Sequence, residues 1–400
     1  MISVADGQSR ILAEIVPLRE IEPLPVTRSL GRTLAEDVLA PFDIPPADNS
    51  AVDGYAVNRD DIPKEGKARL RVIADLPAGW VFDGVVERGE TVRIMTGAPL
   101  PKGVDTVVHQ EITEREGDMV WIQPIAAGAN VRLRGEDVME GQRALAAGSP
   151  LRPQEMGLLA SLGSSVVKVF RRPRVAILST GDEVTDPGQT RRPGQIYDAN
   201  RFSLMGLVQE SGCEGLDFGI VPDVKDELRS RLLAASQTAD VVLTSGGVSV
   251  GIFDLVKEVL GEIGGIDFWQ VNMTPGRPLA WGRVGKAHFF GLPGNPVASM
   301  VTFLLFVRPA LWKLMGRREL EPRRFEAVAT ATIGKKLGRR EFKRGILTFN
   351  GRRWEVSTTG PQGSGILTSM VAGNCLIILP EERGPVQSGE LVLVEPFQQP

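Results

Sequence analysis

Along the chain the apolar residues change their spacing four times, and each change predicts a different kind of structure. Residues 8–40 read as helical. Arg10-Ile-Leu-Ala-Glu-Ile-Val16 carries apolar residues at helical spacing, and the pattern continues from Ser29 to Leu39 with Gly31 as an interruption. From 41 to 135 short β-type runs take over: Leu70–Ile73, Thr91–Met95, Thr106–His109 and Val120–Ile122, separated by Gly and Pro turns. Residues 136–169 return to a helical texture, clearest from Pro153 to Leu162. From 173 strands and helices alternate. Strands are predicted at Val175–Leu178, Gly219–Val221, Ala239–Thr244, Trp281–Arg283 and His288–Phe290, and helices at Asn200–Ser211, Lys225–Ser236, Ile252–Leu260 and Pro296–Met315. That alternation implies a parallel sheet with ligand-holding loops at the strand C-termini. Beyond Pro322 the pattern is β again, at Phe325–Thr332, Gly345–Phe349, Arg353–Ser357, Cys375–Leu379 and Glu390–Val394, as expected of a small barrel-like domain.

Composition narrows the chemistry. A net charge of −3 without a long basic block argues against nucleic acid as a partner. The longest apolar run ends at Arg308-Pro309 and is shorter than a bilayer span, and the N-terminal residues have neither the basic start nor the apolar core of a secretion signal. No membrane association is expected. Cys213 and Cys375 are the only cysteines, which fits a reducing cytoplasm, and His109 and His288 are the only histidines. Zinc sites and histidine bases are therefore disfavoured, so carboxylates and arginines must carry the chemistry.

The candidate chemistry sits in loops. Gly291-Leu-Pro-Gly-Asn-Pro-Val-Ala-Ser299 reads as strand, tight turn and helix start, with Pro296 suited to the first helical position. Helix N-termini approached by glycines attract anions, because their N–H groups lack partners. Ser245-Gly-Gly-Val-Ser-Val-Gly251 follows a buried strand and can cradle a phosphate; it matches neither a P-loop nor a dinucleotide fingerprint. Ser179-Thr-Gly-Asp-Glu183 ends another strand on the same sheet edge. Glu183 and Asp254 are candidate Mg²⁺ ligands, since Mg²⁺ combines few carboxylates with phosphate oxygens and water. Asp53-Gly54 lies in a stiff turn after Pro45-Pro46, and Arg277 lies in Asn272-Met-Thr-Pro-Gly-Arg-Pro278, where a guanidinium fork suits a tetrahedral oxyanion. Each loop alone is equally readable as an ordinary turn, and each acid as a solvated residue or helix cap.

Their order in the chain removes that ambiguity. Asp-Asn-Ser-Ala-Val-Asp-Gly-Tyr-Ala at 48–56, Met-Thr-Gly-Ala-Pro at 95–99, Ser-Thr-Gly-Asp-Glu at 179–183, Ser-Gly-Gly-Val-Ser-Val-Gly at 245–251, Pro-Gly-Arg-Pro at 275–278, Gly-Leu-Pro-Gly-Asn-Pro-Val at 291–297, Arg-Glu-Phe-Lys-Arg-Gly at 340–345, Gln-Gly-Ser at 362–364 and Gly-Asn-Cys at 373–375 together closely resemble the MoeA family of molybdopterin molybdenumtransferases, relatives of the gephyrin E domain. The resemblance runs over essentially the whole chain.

The resemblance implies a three-layer α/β domain like MogA and MoaB at 173–320, with a parallel-rich sheet. It also implies small β domains at 45–131 and 321–400, and an elongated, discontinuous helical or mixed dimerisation domain from 1–44 and 132–172. It implies that adenylylated molybdopterin and molybdate react with Mg²⁺ to give molybdenum cofactor, AMP and water. Ser245, Gly246, Gly247, Ser249 and Gly251 would then hold pterin phosphates together with Pro293, Gly294, Asn295 and Pro296. Glu183 and Asp254 would hold Mg²⁺; Arg277, Arg344 and Ser364 match positions near the oxyanion site; Asp53, Thr96, Asp137 and Asp223 match polar positions lining the cleft. Asp53, Glu183, Asp254 and Arg277 are the expected catalytic residues. The implied assembly is a homodimer in which Asp53 acts across the interface, and the implied partners are molybdopterin adenylyltransferase and molybdoenzyme maturation proteins. Two rival functions are an adenylyltransferase or nucleotide pyrophosphatase on the same α/β domain, and a non-catalytic cofactor carrier or scaffold. The flanking β domains count against the first, and the carboxylates at 53, 183 and 254 against the second. One departure stands out: where the family usually has Met-Lys-Pro-Gly-Lys-Pro, and often a lysine near position 270, this chain has Met273-Thr-Pro-Gly-Arg-Pro278 and Gln270, so the expectation is that molybdate binds more weakly here or that Arg339 or Arg340 compensates.

Overall fold

The computed structural model describes residues 1–246 and 253–398, with the side chains of Phe253 and Asp254 left aside. Its centre is a six-stranded sheet in the order Glu214–Val221, Arg174–Thr180, Val241–Ser245, Ala287–Leu292, Pro278–Val284, Gly264–Gln270. The first four strands run parallel, and Pro278–Val284 runs antiparallel to both its neighbours. The sheet is thus mixed at one edge, because Pro278–Val284 and Ala287–Leu292 form a hairpin. Alternate residues face opposite layers, as strand geometry requires. Val175, Ile177, Val241, Leu243 and Phe290 enter one apolar layer, while Ala176, Leu178, Val242 and Phe289 enter the other. The first layer holds the helix Ala199–Glu210 and residues of Val4–Glu14 and Pro296–Leu314; the second holds Lys225–Thr238 and Phe253–Ile263.

The span Pro296–Leu314 is helical throughout: α to Thr302, π-type from Phe303 to Val307, then α again. Pro309 explains the change. Proline has no N–H to give the carbonyl four residues back, and its ring crowds that carbonyl. Here that carbonyl belongs to Leu305. It accepts instead from Gln8 Nε2 at 2.8 Å, so a side chain of the first helix fills the gap. At 19 residues this helix is long and apolar enough for a bilayer, contrary to the length read from the sequence. Its apolar window is 83% buried inside the protein, which identifies it as a core helix.

Residues 325–396 form a closed barrel. Arg340–Phe349 pairs with Trp354–Thr358 and Cys375–Leu379, and the ring is completed through Leu391–Pro396 and Phe325–Ala329. Met273–Thr274 joins it in parallel register beside Arg340 and Glu341, stitching the candidate oxyanion loop to the barrel. A separate six-stranded sheet lies at 54–122, in the order Thr106–His109, Gly54–Val57, Glu90–Ile94, Ala68–Leu76, Met119–Ile122, Glu114–Glu116.

Two helical expectations fail. From Ser29 to Leu39 the chain is irregular, with Leu34 fully buried between backbone bonds to Ser149 and Gly148 and Val38–Leu39 paired to Arg143–Leu145. Gly31 adopts φ +73°, which ends any helical course there. Within 136–169 only Pro153–Ser161 is helical; Val166–Phe170 is a strand paired with Ile21–Pro25. His288 is a packed strand residue, and burial pushes its pKa down to about 4. Replacing Gln8 with alanine is expected to leave the Leu305 carbonyl buried without a donor and to lower stability by about 1–3 kcal/mol, read from the urea-induced unfolding midpoint.

Candidate functional site

Three parallel strands deliver their C-terminal loops to one edge. Leu178, Ser179 and Thr180 end the first, Ser245 and Gly246 the second, and Leu292 to Asn295 the third. The loops touch at glycines. Gly246 has φ +90°, and a Cβ there would lie 2.8 Å from the Thr180 carbonyl oxygen. A Cβ on Gly294 would lie 3.6 Å from the Gly246 Cα. Asn200, at the start of the helix Ala199–Glu210, ties the two loops together: its Nδ2 donates to Ser245 Oγ and to the Gly294 carbonyl, both at 2.7 Å. The helix start is itself fixed by buried Asp198. That carboxylate accepts from the Arg201 N–H at 3.0 Å and Nε at 2.9 Å, and from Ser179 Oγ at 3.0 Å. Arg201 further pairs with Asp186 and Asp217, so an otherwise costly buried cation is surrounded by acceptors.

Two cavities open along this edge. The smaller, about 120 Å³, lies among Thr180, Glu183, Asn200, Ser245 and Gly246. The Thr180 hydroxyl is buried there with no partner among the described residues. The larger, about 590 Å³, is bounded by Glu183, Thr274, Arg277, Asn295, Arg339 and Ser364. Glu183, Ile196 and Gly294 border both, so the two are continuous. Among the described residues neither Arg277 nor Arg339 has a carboxylate partner, which leaves two cations facing the larger cavity. The Ser364 carbonyl accepts from the Val297 N–H at 3.1 Å, so a barrel loop caps the long helix where it enters the cleft. At the far end of the sheet edge Asp223 donates its N–H to Asp182 at 3.2 Å. Burial, then the neighbouring Asp182 charge and least of all Glu183, raise the Asp223 pKa and outweigh the lowering effect of that bond.

The structure thus brings together Glu183, Ser245, Gly246, Arg277, Pro293, Gly294, Asn295, Pro296 and Ser364, with Asp223 at the margin. Arg344 is elsewhere. It is 1% exposed, and its Nε donates to Ser369 Oγ at 2.9 Å and its Nη2 to the Gly363 carbonyl at 3.0 Å. It holds the loop that presents Ser364 and does not line the cavity. Asp53 accepts from the Thr96 N–H and Oγ1, both at 2.7 Å, and these bonds hold its pKa below the usual carboxylate range. Asp137 is exposed, its N–H donating to Ile44 at 3.0 Å. These three residues belong to the first 140 residues and do not border the cavities of the same chain. Gly247, Ser249 and Gly251 fall outside the described residues, as does the Asp254 side chain; the Asp254 backbone is the second residue of the helix Phe253–Ile263. Sequence reading missed Asn200, and it left Arg339 and Arg340 as equal candidates for a compensating cation; of the two, Arg339 borders the larger cavity. Asn200 follows an Asp N-cap by two residues, a position that points it back across the strand ends.

A glycine-lined cleft on a parallel sheet edge, with free arginines and a barrel loop as its far wall, defines a binding domain for an anionic ligand. Residues 176–313 match the family model described as a probable molybdopterin-binding domain, which sets the class. Residues 2–163 match the MoeA N-terminal region (domains I and II), and 326–397 the MoeA C-terminal region (domain IV). The chain is 40% identical to a molybdopterin molybdenumtransferase of Haemophilus influenzae, with 99% of both chains covered. It is 38% identical to one of Nostoc, covering 98% of this chain and 93% of the relative. A crystal structure of a molybdopterin biosynthesis MoeA protein from Pyrococcus horikoshii superposes with a TM-score of 0.87 at 32% identity, covering 99% of this chain and all of that one. The chain belongs to the molybdopterin molybdenumtransferase family.

Gly246→Ala is expected to lose about 1–3 kcal/mol through forced positive φ and the Thr180 contact, seen as a lower thermal midpoint. Asn200→Ala should leave helical circular dichroism unchanged while increasing protease cleavage near 245 and 294.

Proposed function

We propose that this enzyme inserts molybdenum from molybdate into adenylylated molybdopterin, releasing AMP. The observation that carries the reading is the single cleft joining two glycine loops, an acidic edge and two unpaired arginines. The substrate needs all three surfaces: phosphates for the backbone donors, an anhydride beside the acids, and a tetrahedral dianion beside the guanidiniums. Gly246, Gly294 and Asn295 leave room for close backbone approach to phosphate, and the orphan Thr180 hydroxyl supplies a further donor. Ser245, Pro293 and Pro296 shape the same wall, and Gly247, Ser249 and Gly251 are assigned to the loop's remaining turn. Arg277, with Ser364 opposite, orients molybdate. Arg344 acts at one remove, by fixing the Gly363–Ser364 loop.

The acidic edge suits a hard divalent cation. Burial first, and then the nearby charges of Asp182 and, least, Glu183, raise the Asp223 pKa, and a bound cation would relieve that like-charge repulsion. We assign Glu183, with Asp254, as the Mg²⁺ ligands. A Mg²⁺ ion held by these two residues would supply charge neutralisation for the phosphates. Asp53, Thr96 and Asp137 are assigned to the cleft of a second copy, because they do not reach the cleft of their own. This makes the enzyme a homodimer, with 1–44 and 132–172 as the dimerisation domain, 45–131 and 321–400 as flanking β domains, and 173–320 as the molybdopterin-binding domain. Cytoplasmic location, and handover between molybdopterin adenylyltransferase and maturation proteins of molybdoenzymes, complete the proposal.

Arg339 replaces the cation that Thr274 does not provide. It borders the same cavity as Thr274 and Arg277, whereas Arg340 is held by Glu381 at 3.1 Å.

The deciding assay incubates the protein with adenylylated molybdopterin, Mg²⁺ and molybdate and follows AMP. Molybdate-dependent release is expected; release without molybdate marks a pyrophosphatase, and tight binding without release a carrier. Glu183→Gln should slow release roughly 100-fold. In molybdate titrations Arg339→Ala should raise the half-saturating concentration and Thr274→Lys lower it, with Arg340→Ala neutral. An unchanged half-saturating concentration in Arg339→Ala would remove the compensation idea.

A further inference from the structure

A second cavity, of about 220 Å³, lies at the other end of the long helix, between the helix Ala199–Glu210 and the barrel's last strand. From Pro296 to Trp312 the helix rises roughly 24 Å, so this cavity is remote from the cleft. Its wall carries Arg308, Trp312, Arg317, Glu210, Ser211 and Phe397. Three buried donors there, Arg308 Nε, Trp312 Nε1 and Arg317 Nε, have no acceptor among the described residues. Both guanidinium carbons lie 5.1 Å from the Trp312 ring centre, which holds the two cations beside one indole.

Among the described residues the local charges do not balance. Glu395, 1% exposed, accepts from Arg308 Nη2 at 2.6 Å and from Arg324 Nε at 2.8 Å, so both its oxygens are taken. Ser211 Oγ donates to the Leu207 carbonyl. Glu210 is exposed at the rim and makes no ion pair among the described residues. Cys213 is no counter-ion either, since burial pushes its thiol up to about 12. Arg317 is left as a half-buried cation with its Nε fully buried and no ion pair among the described residues, and burial pushes its pKa down. Leaving several donors and a charge unmatched is costly, so the site is built for a ligand with several acceptors and negative charge.

We propose that this cavity binds a small tetrahedral oxyanion of the phosphate class, held by Arg317, Arg308 Nε and Trp312 Nε1. The cavity has room for such an ion together with water, whose own share of volume is roughly 30 Å³. Bound there, the ion links the α/β layer to the end of the barrel.

The test uses the full chain carrying Arg277→Met, which weakens anion binding in the cleft and keeps the two sites apart. Inorganic phosphate is titrated calorimetrically. Binding is expected, roughly tenfold weaker when Arg317→Met is added and several-fold weaker with Trp312→Phe. Acetate at equal ionic strength should bind more weakly; equal binding would overturn the tetrahedral assignment. Absence of binding in the Arg277→Met protein, or the same affinity with and without Arg317→Met, would overturn the site. Without phosphate, Arg317→Met should keep or raise the thermal midpoint, because it replaces a half-buried, unmatched cation with an apolar chain. A lowered midpoint would mean that Arg317 already has a counter-ion, for example from a second copy, and would equally overturn the proposal.

Discussion

The burial of one helix holds the rest of the structure in place. Pro296–Leu314 is too apolar to stand in water, and each of its fully buried Val, Leu and Phe side chains favours the folded state by about 1.5–3 kcal/mol. Four surfaces cover it: the sheet through Phe290 and Leu292, the helix Ala199–Glu210, the N-terminal helix Val4–Glu14, and the barrel through Phe342, Leu376 and Ile378. One continuous core therefore runs from the α/β sheet into the barrel. The cleft lies where this helix begins, so its two walls are positioned by the same buried surface.

Within the cleft, backbone and buried polar groups do most of the positioning. Asp198 holds the start of a helix, Asn200 on that helix holds two loops, and the Ser364 carbonyl caps a third element. None of these contacts requires a long mobile side chain. The exposed, rotatable groups at the cleft's border are Arg277, Arg339 and Glu183. Preorganised donors around flexible charges suit a site that must accept a large phosphorylated substrate and a small oxyanion together.

Where hydrophobic spacing was strong, the structure was legible from the chain: the strands Arg174–Thr180, Val241–Ser245 and Ala287–Leu292 and the barrel strands lie where alternation or short apolar runs placed them. Ser29–Leu39 was misread because Leu30, Leu34 and Val38 mimic helical spacing while their backbone bonds go to distant segments, Leu34 to Ser149 and Val38–Leu39 to the strand at 143–145. Spacing alone cannot see a partner more than a hundred residues away. Much of the site was legible because glycine loops must stand at strand ends. Arg344 was not, since a buried guanidinium and a ligand-facing one look alike in sequence. Asn200 was hidden for a related reason, and Arg339 could not be told from Arg340: their significance comes from neighbours supplied by other elements.

The π-type turn at Phe303–Val307 has a geometric consequence. Widening a helix by one residue for a single turn rotates everything beyond it by about 100° relative to an unbroken α-helix. Val297 and Val301, before the turn, look toward the sheet, whereas Arg308 and Trp312, after it, reach the cavity beside the barrel. A strictly regular helix with this sequence would direct Arg308 away from Glu395. The proline that breaks the hydrogen-bond ladder thus acts as a rotary joint, letting one rod offer two differently angled faces to two unlike partners.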